Sequence, residues 1–246
     1  MEFSRTALEE FDPKLIKRSK LVEVEGTSLI DNTAENLDLL RNFKAQPNDL
    51  LICTYPKAGT TWMQEIVDMV QHGGNKQKCA RGPIYKRIPF IDLFPMKPIS
   101  SGELNYVHPS PPPHPTCCRF GNGRGNAFPT YPEISPPSPF STTFLLGTKL
   151  QAREIQKVAH FLDIELPDPL LKEITEHTKF ETMKNNPMAN YTTQPAFWMN
   201  QALSPFMRKG IVGNWKEHLT VAQNEKIDEI SSRLLAGSGL VFRTEL

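Results

Sequence analysis

The chain has 246 residues, with 28 Lys and Arg against 27 Asp and Glu and a formal net charge of +1. That length suits one α/β domain with a substantial core. The near-neutral balance excludes a global pull towards nucleic acid or an anionic membrane surface, so any basic site must be local. The start, MEFSRTALEEFDPK, carries acidic residues where a secretory leader needs an apolar core. No run reaches the length of a membrane span. Cys53, Cys79, Cys117 and Cys118 include no C-x-x-C pair. These features are read as a cytoplasmic protein with no disulfide framework and no metal-ligand spacing.

In chain order, the first clear signal is DLLICTYP (49–56), a short apolar run ending at a turn residue, as expected of a buried strand. TYPKAGTTW (54–62) follows. Beyond Gly59, Met63, Ile66, Val67 and Val70 fall at helical spacing, and Gly73-Gly74 ends that pattern. Residues 95–148 have a different character. Twelve of the 22 prolines lie between Pro95 and Pro139, and Glu103, Arg119, Arg124 and Glu133 are the only charges from 98 to 148. Neither helical nor strand period is present, and proline removes ladder donors. The segment 95–150 is therefore read as atypical or disordered chain inside a single domain spanning 1–246.

Regular pattern returns near residue 152. Ile155, Val158, Phe161 and Leu162 share one helical face. Asp168 is expected as an N-cap with Pro169 at the first helical position. Thr220 and Gln223 form a capping-box pattern before EKIDEISSRLLAG, with Gly237 as a C-terminal stop.

Two stretches carry chemistry. A strand feeding a turn of Lys57, Ala58 and Gly59 aims backbone donors at one point, Thr60 and Thr61 add hydroxyls, and Lys57 adds a mobile charge. That suits a phosphate or sulfate, although an ordinary strand–helix turn with capping threonines explains the same residues. The lysine precedes the glycine, unlike the nucleotide-triphosphate loop G-x-x-x-x-G-K-[ST]. In SPFMRKGIVGNWKEHLT (204–220), Arg208, Lys209 and Lys216 sit among Gly210 and Gly213, where the backbone can wrap closely around an anion. A solvated basic loop is the bland alternative. Together the two stretches make the anion-binding reading the stronger one.

The sequence resembles the cytosolic sulfotransferases, which move a sulfuryl group from 3′-phosphoadenylyl sulfate (PAPS) to a hydroxyl or amine. The family's loop Tyr-Pro-Lys-Ser-Gly-Thr-Thr-Trp matches Tyr55 to Trp62 with Ala58 for serine. Its late motif Arg-Lys-Gly-x-x-Gly-Asp-Trp-Lys matches Arg208 to Lys216 with Asn214 for aspartate. TKFETMKNNPMANYT (178–192) is similar to its nucleotide-contacting stretch, with Lys179 where a serine is usual. The resemblance covers about 23–94 and 152–246 and leans to the phenol-type branch.

The resemblance implies an α/β, P-loop-like three-layer fold around a parallel sheet, here with central strands disrupted or missing. It implies that Lys57 contacts the sulfate bridge and that Ala58, Gly59, Thr60 and Thr61 hold the 5′-phosphate. Trp62 and Phe180 would sandwich the adenine, and Arg208, Lys209 and Gly210 would hold the 3′-phosphate. Thr178, Met183, Phe206 and Met207 join the nucleotide contacts, and Phe90 falls where relatives line an apolar acceptor pocket. Lys216, Thr220, Val221 and Glu225 fit the family's K-x-x-x-T-V-x-x-x-E homodimer motif. The implied partner is a small-molecule acceptor such as a phenol, steroid or xenobiotic, with no nucleic acid, membrane or metal.

Two parts of the family pattern have no match. Transfer to a hydroxyl needs a base suited to neutral pH, usually a histidine. His108 lies in roughly the expected region, but Val107 and Pro109 flank it wrongly, and an incidental loop histidine is the better-weighted reading. The strand whose arginine completes the 3′-phosphate site is also missing. Two rivals follow: a non-catalytic variant that binds PAPS or its product and dimerises, and a kinase-like phosphotransferase, which the misplaced lysine disfavours.

Overall fold

The helical spacing around Met63 becomes the central element of the fold. In the computed structural model, residues 20–25, 27–38, 50–54, 59–90, 115–119, 148–196, 198–211, 213–234 and 236 are described. The chain opens with β1 (Leu21–Val24) and β2 (Thr27–Ile30), an antiparallel pair with Leu21 opposite Ile30, followed by α1 (Asp31–Glu35). β3 (Leu50–Thr54) then leads to α2 (Thr60–Gln71). Short helices α3 (Lys76–Cys79) and α4 (Ile84–Arg87) follow.

α2 packs against β3, α3 and α4 and against α5 (Thr148–Phe161) and α6 (Asp168–His177). Its apolar stripe is buried as expected: Ile66 and Val70 are fully enclosed, Val67 nearly so and Met63 partly, and Met69 is enclosed beside them. Ile52 of β3, Ile155 and Val158 of α5 and Ile174 of α6 close the same core. At its end, Gly73 (φ 58) and Gly74 (φ 72) take left-handed backbone. Their N–H groups return to Val70 O at 3.1 Å and Met69 O at 2.8 Å. Gly74 does a second thing, since a Cβ there would run into the Leu170 side chain, letting the end of α2 approach α6 closely.

Three expectations are corrected. β4 (Pro115–Arg119) lies inside the proline-rich segment and pairs in parallel with β3, Leu50 opposite Pro115 through Thr54 opposite Arg119. Pro115 stands at the first strand position, where its missing N–H is tolerated. Phe161 is 39% exposed and Ala159 is buried instead, because the inward face of α5 turns through Ile155, Val158 and Ala159. α6 begins at Asp168 with Pro167 before it, and no side chain caps it. Asp168 therefore acts within the first turn, where a carboxylate suits the helix dipole.

The capping box is present. Gln223 N–H donates to Thr220 Oγ1 at 3.3 Å and Thr220 N–H donates to Gln223 Oε1 at 2.9 Å, opening α8 (Val221–Leu234). Lys57, Ala58, His108 and Gly237 lie outside the described residues. Among the described residues, no helix is long and apolar enough to cross a membrane.

Candidate functional site

The start of α2 is set by Gly59, whose φ of 105 leaves room for a Cβ but strains any L side chain. Met63 N–H makes the helical bond to Gly59 O at 3.0 Å. The N–H groups ahead of it have no carbonyl one turn back inside the helix, which is the property that suits an anion. Thr60 is buried and its hydroxyl bonds to Thr54 Oγ1 at the end of β3, tying strand to helix across the loop. Thr61, also buried, donates to the Tyr191 hydroxyl at 3.4 Å.

Trp62 links this helix start to the second half of the chain. Its Nε1–H donates to Thr178 O at 2.8 Å, in the turn between α6 and α7 (Phe180–Lys184). Thr178 is itself fixed, donating to Ile174 O at 2.8 Å and accepting from Gln151 Nε2 at 3.0 Å. Two residues on, the Phe180 ring meets Gly210, where φ is 61 and an added Cβ would fall among the ring atoms. Lys184 Nζ lies 5.8 Å from the same ring. A continuous path therefore runs from the Gly59 turn through Trp62, Thr178 and Phe180 to Gly210. It joins the two anion-suited stretches that are far apart in sequence.

At the far end the cations are exposed and already engaged. Arg208 Nη1 donates to His218 Nε2 at 3.0 Å, so that ring nitrogen is the acceptor. Lys209 Nζ meets Glu217 Oε2 at 2.6 Å. The bond from Lys209, joined by one from Asn214, holds the Glu217 carboxyl below its ordinary pKa. Asn214 and Glu217 lie on a single 3₁₀ turn (Asn214–Glu217) that starts after Gly213 at φ 81. Lys216 Nζ lies 5.6 Å from the Trp215 ring. Of the implied dimer motif, Val221 is 76% exposed at the start of α8.

Beneath the site lies a buried ion network. Arg87 is enclosed and pairs with both Glu65 and Asp68 of α2, while its Nε donates to Gly82 O at 2.7 Å. Arg81 grips Asp68 with two bonds, at 2.7 and 3.1 Å. Burial pushes the Asp68 pKa up, but the Arg81 bond and the charges of Arg87, Arg81 and His72 outweigh it, leaving the carboxyl below its ordinary range. Burial lowers the His72 pKa, and the bond to Asp68 O only partly opposes it. Asp68, His72 and Cys79 bring ligand-type atoms within 4.8 Å of one another. Two guanidiniums already occupy the Asp68 carboxylate, and burial raises the Cys79 pKa so that its thiol keeps its proton. Neither condition suits a cation.

The sulfotransferase domain model matches residues 47–121 and 148–239. Sulfotransferase 1C2 of Rattus norvegicus is 36% identical over 293 positions, covering 95% of this chain and 99% of the relative. The chain belongs to the cytosolic sulfotransferase family. Sulfotransferase 1A1 of Mus musculus is 34% identical over 287 positions, with 93% and 99% covered. Both alignments span more positions than the chain has residues, so these sulfotransferases carry residues without a counterpart here. Among solved structures, retinol dehydratase in complex with androsterone and inactive cofactor PAP aligns with a TM-score of 0.66 at 14% identity over 92% of each chain. Mouse SULT7A1 complexed with PAP gives 0.51 at 18% identity, covering 89% of this chain and 95% of that one. These likenesses identify an α/β sulfotransferase fold.

Gly59, Thr60, Thr61, Trp62, Thr178, Phe180 and Gly210 are brought into one connected region. Met183 is buried in the interior, Phe206 stacks on Tyr191, and Phe90 is 3% exposed within the main core. Sequence reading did not single out Arg87, Tyr191, Glu217 or His218. Tyr191 lies inside the stretch flagged at 178–192, but nothing in the sequence marks its ring as inward.

Proposed function

We propose that this chain transfers the sulfuryl group of PAPS to a hydroxyl or amine of a small acceptor of the phenol, steroid or xenobiotic class. The observation that carries the reading is the Trp62–Thr178–Phe180–Gly210 path, which joins a donor-rich helix start to a cationic loop. The residues fit such a donor at both ends: Gly59 has the backbone a close anion requires, and Gly210 has no room for a side chain against Phe180.

In this reading Lys57 neutralises charge growing on the leaving 5′-phosphate, and Ala58, Gly59, Thr60 and Thr61 supply donors to it. Trp62 and Phe180 hold the adenine between aromatic faces, with Thr178, Met183, Phe206 and Met207 shaping the surrounding wall. Arg208, Lys209 and Gly210 take the 3′-phosphate. The acceptor's oxygen or nitrogen bonds to sulfur as the bond from sulfur to the phosphate oxygen breaks, and the acceptor's proton leaves to a base. Phe90 borders the acceptor. Lys216, Thr220, Val221 and Glu225 supply a homodimer contact, and the protein works in the cytoplasm as one domain, 1–246, with an atypical segment at 95–150.

A second reading is a family variant that binds the spent nucleotide and dimerises without turnover. The break in the family match between residues 121 and 148 is in keeping with it, as is the absence from this sequence of the family's base segment and of the strand whose arginine completes the 3′-phosphate site. Purified protein given PAPS and a simple phenol separates the two. Sulfate transfer above a Lys57→Ala control supports the catalytic reading. Binding of 3′-phosphoadenosine 5′-phosphate (PAP) without transfer supports the variant, and absence of both would overturn the donor site itself.

A further inference from the structure

Tyr191 is a buried aromatic residue, 6% exposed, with φ 63. A bulky side chain in left-handed backbone is uncommon and persists only where its surroundings over-determine it. Here they do. Asn190 Nδ2 donates to Lys184 O at 2.9 Å, Gln201 Nε2 donates to Asn190 O at 3.0 Å, and Thr192 N–H donates to Asn190 Oδ1 at 2.9 Å. On the other side Ile84 N–H donates to Met188 O at 2.7 Å. These bonds grip the chain before and after the strained residue and turn its ring inward.

The ring then touches both halves of the site. Its hydroxyl accepts from Thr61 at the start of α2, and its ring packs at a 40° tilt against that of Phe206, two residues ahead of Arg208, with the centroids 4.3 Å apart. The Tyr85 ring stands 5.4 Å away, and the Tyr85 hydroxyl bonds to Thr193 Oγ1 at 3.0 Å, fixing the same turn from a third side.

We infer that Tyr191 is a positioning residue that sets the spacing between the two anion-holding ends of the site, acting through Thr61 at one end and Phe206 at the other. The inference rests on the donor-site reading above. It predicts a particular defect. A ligand with phosphate at both ends needs the correct spacing, whereas one with a single phosphate does not.

The test compares affinities for PAP and for adenosine 5′-phosphate by titration calorimetry. Tyr191→Asn deletes the ring but suits left-handed backbone, and Tyr191→Phe keeps the ring and loses the hydroxyl. With one aromatic contact and one bond removed, Tyr191→Asn lowers the ratio of PAP to adenosine 5′-phosphate affinity by about tenfold. Tyr191→Phe restores that ratio to within about threefold of the parent, as loss of one neutral hydrogen bond allows. A thermal melt accompanies each variant. An unchanged ratio in Tyr191→Asn, or equal loss for both ligands, overturns the positioning role while leaving the donor site standing. A parent protein that binds neither ligand overturns both.

Discussion

The two ends of the site are built on opposite terms. At the Gly59–Trp62 end, Thr60, Thr61 and the indole nitrogen of Trp62 are all tied into buried or half-buried structure. At the Arg208–Glu217 end, the cations stand in solvent and already have an intramolecular base and carboxylate. The first end is held in place by the fold around it. At the second, each cation gives one donor to a neighbour, Lys209 to Glu217 and Arg208 to His218, and has others left for a further partner. In the proposed donor site, discrimination in favour of a doubly phosphorylated ligand would fall to the end with the weaker hold on its own geometry.

The contrast can be broken most severely from below. Arg87→Ala leaves Glu65 and Asp68 buried without their shared cation, a loss of about 3–5 kcal/mol for a broken buried pair. Urea denaturation should show it as a large drop in midpoint. Gly210→Ala comes next. It forces a Cβ onto the Phe180 ring in left-handed backbone, at a folding cost of about 1–2 kcal/mol, and the displaced ring should weaken PAP binding by on the order of tenfold. Calorimetry should register that loss with the melting temperature less affected than in Arg87→Ala.

Acid acts on the same support. Because the folded-state pKa of His72 is lowered, the unfolded chain binds the proton first as pH falls below about 6.5, and stability declines through that window. Asp68, also lowered, contributes stability above the carboxylate range that is lost as pH falls through its depressed value. Both slopes run the same way. His72→Gln should flatten the upper part of a stability-against-pH curve and leave the lower part. The smallest effect belongs to the exposed end, where Glu217→Gln removes a competing anion from Lys209 and strengthens PAP binding by about threefold, in keeping with exposed pairs. A decrease instead would mean that Glu217 orients Lys209 for the ligand.

What could be read in the sequence was local. Gly73-Gly74 ending a helix and Thr220 with Gln223 opening one are rules of adjacent backbone, and both are present as expected. The stripe of Ile66, Val67 and Val70 faces the core. Glu65 and Asp68 of the same helix are buried too, which its apolar spacing does not reveal. Their partner Arg87 lies beyond a loop and two short helices, and no periodicity reports a contact made over that distance. Tyr191 was hidden for a related reason, since a tyrosine gives no sequence sign that its backbone is left-handed. β4 was missed because a proline-rich stretch argues against strands unless the proline stands at the first position, as Pro115 does. At the site, Gly59 to Trp62 and Arg208 to Gly210 were legible as motifs, whereas the Thr178 carbonyl and Phe180 packing that connect them were not.

The parallel pairing of β3 with β4 has a consequence for the order in which the molecule is completed. All of α2, α3 and α4 lies between the two strands in sequence, so their registers meet only after a long loop has closed. During synthesis β3 leaves the ribosome well before the neighbour it pairs with. β3 therefore gains its parallel neighbour late. A ligand that binds the completed fold, and not the open chain, draws the population towards the completed protein by mass action. Ligand supply would then govern yield as well as activity.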